Sequence, residues 1–142
     1  MLSVKKFLKK DIKFVFSLQN LKNRKFFLNK KIFSLSSHIL WCNSKKRIIY
    51  IIYLRRIRVG FVNIKFLRDN FFDLSITIKE NYRKKNLASI VISKIEKKYN
   101  NHIIRAVVHK KNIASMNLFR GLNYNKKKIV KNFFYFEKLI KF

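Results

Sequence analysis

Proline is absent from this chain, glycine occurs twice, cysteine once, and acidic residues number 6 in 142. The single cysteine, Cys42, can make no internal disulfide and has no companions for a zinc cluster, which fits a reducing cytoplasm. Without proline-rich or glycine-rich stretches there is no low-complexity linker, and 142 residues suit one domain over residues 1–142. Long apolar runs are missing too. The longest, residues 48–54, is about a third of what a bilayer span needs, and residues 1–10 lack the apolar stretch and cleavage site of a signal peptide. Neither membrane insertion nor secretion is expected.

What the chain has is apolar material and positive charge. With 49% apolar and 15% aromatic residues it can fill a buried core, so its charge does not argue for disorder. Lys and Arg number 35, for a net charge of +29. Abundant Lys, Asn, Ile and Phe beside scarce Gly, Pro and Ala is the usage an AT-biased genome imposes on any protein. Whatever its origin, a field of this sign draws polyanions to the surface, most strongly at low salt. Charge alone does not choose among nucleic acid, a nucleotide cofactor, a nucleotide-linked sugar and an anionic membrane surface.

Periodicity divides the chain into elements. Residues 11–23 read as a helix, with Ile12, Val15, Phe16 and Leu18 near helical spacing behind Asp11 as a start signal, and residues 34–42 read as a shorter one. Residues 47–54 and 59–67 are β-branched and aromatic runs separated by the charged residues 55–58, a hairpin with Gly60 just inside its second strand. Asp69 and Asn70 mark the next turn, after which Leu74, Ile76 and Ile78 alternate with Ser75, Thr77 and Lys79 as in a half-buried strand. Residues 86–99 form an amphipathic helix, with Leu87, Ile90, Val91, Ile95 and Tyr99 on one face, and residues 103–108 an apolar strand. Strand, helix and strand make a right-handed βαβ unit whose two strands are parallel and are neighbours or nearly so. Asn112 caps a further helix carrying Ile113, Met116, Leu118 and Phe119, ended by Gly121 as a left-handed stop. Residues 126–130 and 133–140 supply the closing strands. The sum is a mixed sheet with helices on both faces, of α/β or α+β class.

Chemistry concentrates where the strand ending at Lys79 gives way to the helix, in Tyr82-Arg83-Lys84-Lys85-Asn86-Leu87-Ala88-Ser89. A helix N-terminus offers unpaired N–H groups and the positive end of a dipole, and Arg83, Lys84 and Lys85 add three cations beside it. The segment suits a phosphate group, or else is a solvated basic turn. Loops that approach a pyrophosphate use glycine; here Asn86 tolerates the left-handed conformation and Ala88 is the next-smallest residue.

This segment resembles the GCN5-related N-acetyltransferase family, whose acetyl-CoA loop reads Gln or Arg, two residues, Gly, one residue, then Gly or Ala. Arg83, Asn86 and Ala88 occupy those positions. Asn112-Ile113-Ala114-Ser115, then Leu118-Phe119 and Gly121-Leu122, is similar to the family's next landmark, and Gly60 resembles a glycine that members place near the start of the third strand. Both glycines of this glycine-poor chain thus fall on landmarks. In the first third, Asp11, residues 14–18, Asn20, Arg24, Phe26, Phe27, Ile32, His38 and Trp41 resemble the opening of bacterial acetyltransferases that modify amino groups on nucleotide-linked sugars, with Gln19 where those have Arg.

The resemblance implies a mostly antiparallel sheet of about six or seven strands with a splayed parallel pair. It implies acetyl-CoA as co-substrate, its pantetheine arm lying along residues 75–79 with the backbone of Ile76, Thr77 and Ile78 as donors. The pyrophosphate then rests on Arg83, Lys84, Lys85, Asn86, Leu87, Ala88 and Ser89, with Asn112, Ser115 and Phe119 completing the cofactor site. Asn112 is either a helix cap alone or a cap that also bonds the cofactor. Asn20, Arg24 and Trp41 would meet the acceptor. Transfer is direct, with an uncharged amine attacking the thioester, so Cys42 need not be a nucleophile. Phe119 stands where many relatives carry a proton-donating tyrosine, leaving that task to water or to Tyr124. For the general base, Asp73 and His38 are the candidates, set against a turn role and a packing role respectively. No metal is implied. The expected acceptor is a nucleotide-linked amino sugar, with a protein N-terminus or a nucleic acid bound by a degenerate scaffold as the alternatives, and the expected assembly is a monomer or homodimer.

Overall fold

A computed structural model describes residues 1–19, 34–83 and 86–142. The chain opens with β1 (Leu2–Lys6), a single 3-10 turn (Lys9–Asp11) and α1 (Ile12–Leu18), and resumes at α2 (Leu35–Cys42). A meander follows, β2 (Arg47–Leu54), β3 (Ile57–Arg68) and β4 (Phe71–Ile78), then a 3-10 turn (Glu80–Tyr82), α3 (Leu87–Lys98), β5 (Ile103–His109), α4 (Ile113–Gly121), β6 (Asn125–Val130) and β7 (Phe133–Leu139). The seven strands form one sheet in the order β1-β2-β3-β4-β5-β7-β6. Every neighbouring pair is antiparallel except β4 and β5, joined by the expected α3 crossover.

Strand alternation sorts side chains into two cores. Tyr50, Ile52, Val62, Ile64, Phe72 and Leu74 turn to one face, where Val91, Ile92 and Ile95 of α3 and Met116 and Phe119 of α4 close over them. Ile49, Ile51 and Phe61 turn to the other, packed by Val15, Leu18 and Cys42 of α1 and α2. Each such fully buried aliphatic side chain contributes about 1.5–3 kcal/mol. Among the described residues no helix is long and apolar enough to cross a membrane.

Two sequence expectations shift and one strand is new. The first hairpin turns on two residues rather than the charged run 55–58: Arg55 (φ 52°) and Arg56 (φ 70°) both take positive φ, and β3 begins at Ile57. Gly121 does not stop α4 in a left-handed conformation; it is the last helical residue, and Asn123 (φ 69°) adopts that conformation instead. β1 was not announced by hydropathy at all. It is a short edge strand ordered by the free side of β2, with Val4 opposite Ile52.

Candidate active site

The parallel strands part company early. β4 and β5 pair only at Phe71 with Ile103, Phe72 with Ile104 and Asp73 with Arg105. Beyond those, β4 continues along β3 as far as Ile78, and β5 continues along β7 as far as His109. A wedge-shaped gap therefore opens from Leu74 and Ala106 onward.

Two local features hold it open. The β2–β3 ladder slips at Ile52 and Tyr53, which face Gly60 and Arg58, so Val59 is an unpaired bulge residue. Gly60 then lies directly against the Thr77 carbonyl; a Cβ there would collide with that oxygen and come within 3.0 Å of the Ile78 Cα. Lacking one, Gly60 lets the end of β4 lean onto β3 and away from β5. At the vertex, the guanidinium of Arg105 clasps both carboxylate oxygens of Asp73 at 2.5 and 2.9 Å.

Hydrogen-bond alternation decides which peptide groups face the gap. Lys79 N–H donates to the Val59 carbonyl (2.7 Å) and Phe66 N–H to the Lys46 carbonyl (2.8 Å), so odd residues of β3 and β4 bond each other. The peptide groups of Thr77 go to Phe61, which corrects the expectation that it presents a donor alongside its neighbours; its side chain is buried on the α1 and α2 face. Ile76 and Ile78 present theirs to the gap. By the same alternation, with Lys110 N–H on the Asn132 carbonyl, Val107 of β5 faces the gap from the other wall. Sequence reading missed Val107 because nothing in an apolar strand marks which peptide edge is left without a partner.

At the open end lies the basic loop. Arg83 donates its Nε to the Ile78 carbonyl (2.9 Å), tying the loop to the end of β4, so this part of its fork serves the scaffold. Asn86 stands in the left-handed region (φ 57°, ψ 16°) and its side chain caps nothing. Among the described residues, the first N–H groups of α3, those of Leu87, Ala88 and Ser89, thus meet no intrahelical acceptor and no cap from the Asn86 side chain, while Ile90 N–H closes the first helical bond to the Asn86 carbonyl (3.2 Å). Lys84 and Lys85 lie outside the described residues. A strand edge with vacant peptide groups leading to an open helix N-terminus fits an extended amide-bearing arm that ends in a phosphate group.

The model of the acetyltransferase (GNAT) family matches residues 15–124. The chain belongs to that family. It is an acetyltransferase with acetyl-CoA as its co-substrate. Among solved structures it is similar to a domain from Methanocaldococcus jannaschii DSM 2661 (22% identity, TM-score 0.85, 98% of each chain covered). It is also similar to the spermidine N-acetyltransferase of Vibrio cholerae in complex with CoA and spermine (13% identity, TM-score 0.88, 98% of this chain and 95% of that one). An N-acetyltransferase from Staphylococcus aureus Mu50 matches at 17% identity with a TM-score of 0.81, over 99% of each chain. At these identities the likeness is one of fold. No curated protein sequence matches significantly.

The other residues singled out in this acetyltransferase scatter. Asn112 caps α4, its Oδ1 accepting from the Ser115 N–H (3.2 Å), so the cap is shown and the Ser115 amide is occupied. Phe119 is buried in the larger core, edge-on to Tyr124 at 5.1 Å. The Tyr124 hydroxyl reaches neither solvent nor a hydrogen-bond partner of good geometry, and burial first, then the nearby Glu96 carboxylate, push its pKa far up. A phenol so held has no route for taking up a replacement proton, which counts against it as the acid. Asp73 has both oxygens engaged by Arg105 at the vertex of the gap.

His38 is fully buried between α1 and α2. Its Nε2 sits 3.3 Å from the Ile12 carbonyl and 3.3 Å from Cys42 Sγ, and its ring packs on Phe16 and Trp41. Burial lowers its pKa, against the backbone bond, and its ring is enclosed by its neighbours as a packing histidine's is. Burial likewise pushes the Cys42 thiol up to about 11, far from a nucleophile's range. Trp41 is half-buried with the Arg47 guanidinium 3.9 Å above its ring. Asn20 and Arg24, with Phe26, Phe27 and Ile32, lie outside the described residues. Among the described residues no three His, Cys, Asp or Glu side chains are grouped to hold a metal ion.

Proposed function

We propose that this acetyltransferase acetylates the amine of a nucleotide-linked amino sugar, holding donor and acceptor together and transferring directly. The observation that carries the donor half is the gap itself. Ile76 offers a full peptide edge and Ile78 an N–H, an added strand's worth of bonding for the pantetheine amides, while the N–H groups of Leu87, Ala88 and Ser89 hold the pyrophosphate. Bound there, acetyl-CoA supplies an activated acetyl thioester. The chain's own contribution is to place it, to exclude water along the apolar walls and to direct backbone donors at developing negative charge. With His38 buried, Asp73 clasped and Cys42 kept as thiol, the amine is taken up uncharged: its lone pair forms the new C–N bond as the thioester C–S bond breaks, and the proton it loses ends on the departing coenzyme A thiolate.

Charge supports the acceptor half. A +29 protein repels a polycation such as spermidine and attracts a diphosphate. The test is label transfer from radiolabelled acetyl-CoA to a UDP-linked amino sugar, a peptide N-terminus and spermidine offered separately. Label on the sugar is expected. Label only on the peptide or only on spermidine overturns the assignment, and salt-sensitive nucleic-acid binding with no transfer to any amine would point to a degenerate scaffold.

A further inference from the structure

Of the half-buried arginines among the described residues, Arg58 pairs with Asp11 and Arg105 with Asp73. Arg47 pairs with no carboxylate. Its guanidinium lies against the Trp41 ring, one Nη donates to Asn63 Oδ1 (2.6 Å), and its Nε is buried with no partner among the described residues. Directly opposite it across the β2–β3 ladder stands another cation, Lys65. Like charges facing each other across a ladder are destabilising, and a half-buried guanidinium without a counter-ion adds to that penalty. Burial pushes the Arg47 pKa down only to about 10, so the charge persists at neutral pH. The arrangement is unfavourable for the fold alone and favourable for binding an anion.

Its position matters as much as its charge. Arg47, Asn63 and Ser75 project from β2, β3 and β4 on the face packed by α1 and α2, Arg47 at its edge against Trp41 of α2 and Ser75 exposed where Thr77 is buried. Asn63 bridges the row, accepting from Arg47 and donating Nδ2 to Ser75 Oγ (3.4 Å), which leaves the serine proton free to point outward. Ser75 directly precedes Ile76 on the wall of the gap. In register Arg47 is level with Asp73, two strand spacings across the sheet and three residues short of Ile76, which puts it roughly 14 Å from that wall.

We infer that Arg47 and Lys65, with Asn63 and Ser75, form the docking site for a phosphate group of the acceptor, carried roughly 14 Å from the amine that enters the gap. The inference rests on the gap as the place of transfer, and it makes the acceptor an anionic amine and not a polyamine. Arg47 is the specificity-determining residue: a planar fork, walled by Trp41, that a polycation cannot approach.

The experiment is calorimetric titration of UDP, as a diphosphate probe, into the protein with and without saturating CoA. UDP binding is expected, weakened at least about tenfold by Arg47→Met, with CoA affinity unchanged and the thermal midpoint no lower than wild type because one of two opposed charges is gone. A purely structural arginine would do the reverse, lowering the midpoint and leaving UDP untouched. Lys65→Met, exposed and clear of the core, probes the same site should Arg47→Met fold poorly, and is expected to weaken UDP several-fold. Equal UDP affinity in these variants, or no UDP binding by a protein that binds CoA, overturns the inference. Failure to bind CoA would instead strike the donor reading.

Discussion

Asn86 carries the conformation on which the phosphate end of the site depends. At φ 57° it holds a shape that costs an ordinary L-residue roughly 1–2 kcal/mol, less for asparagine and nothing for glycine. Because its side chain caps nothing, Asn86→Gly should keep or tighten CoA affinity and leave stability within about 0.5 kcal/mol. Asn86→Val should lose about 1–2 kcal/mol in urea unfolding and weaken CoA in calorimetry. A marked loss of CoA affinity in the glycine variant would mean that the asparagine side chain touches the cofactor. Left-handed asparagines recur at Asn70, Asn101 and Asn123. In a chain this poor in glycine they do much of what glycine does elsewhere, which makes Asn86 legible as a glycine substitute, whereas at the end of α4 it is Asn123 and not Gly121 that takes the left-handed turn.

His38 yields a prediction of a different kind. Its pKa is lowered by burial, so the unfolded chain binds more protons around the ordinary value of about 6.5. Stability should therefore be complete above that value and fall as pH drops below it. A His38→Leu variant should lack this component of the slope in urea titrations run across the same range; an identical slope would assign the acid sensitivity elsewhere. Its motif with Trp41 was visible in the sequence, but burial was not, because a histidine under a tryptophan and a histidine beside a substrate have the same spacing.

At the scale of elements, the decisive device is the pairing of a bulge with Gly60. Gly60→Ala would put a methyl group into the Thr77 carbonyl, and since that neighbour is backbone, the end of β4 must move toward β5 and narrow the gap. The expected result is a folded protein destabilised by about 1–3 kcal/mol, as other overpacking substitutions are, with CoA affinity reduced. A folded variant with undiminished CoA affinity would show that the gap does not depend on this contact. Much of this level was legible: the meander, the α3 crossover and the parallel pair followed from periodicity and from the handedness of βαβ units. What periodicity could not supply was anything set by a partner strand. β1 gains its order from β2, and the two-residue Arg55-Arg56 turn is imposed by strands that pair on both sides of it, against the preferences of arginine. The splay was expected from family resemblance, whereas its cause, a missing Cβ facing a carbonyl, is a distance that no sequence pattern encodes.

For the whole molecule the governing quantity is the imbalance of 35 cations to 6 acids. Three acids form ion pairs where they matter to the fold: Asp11 on Arg58 beside α1, Asp73 on Arg105 at the vertex, and Glu96 on Lys138 between α3 and β7. Most cations are left to repel one another at the surface, an energy that salt screens over a Debye length of about 10 Å at 0.1 M. The same field accelerates the approach of an anionic co-substrate, whose bonds, once formed in the gap and at the start of α3, are short-ranged. Salt should therefore act in opposite senses on the two properties. Raising ionic strength from low to physiological should lift the thermal midpoint by a few degrees, through relief of self-repulsion. In stopped-flow measurements it should slow CoA association several-fold while changing the dissociation rate little. A dissociation rate as salt-sensitive as association would mean that the phosphates are held mainly by mobile surface lysines, and that the vacant N–H groups of Leu87, Ala88 and Ser89 are not the principal hold.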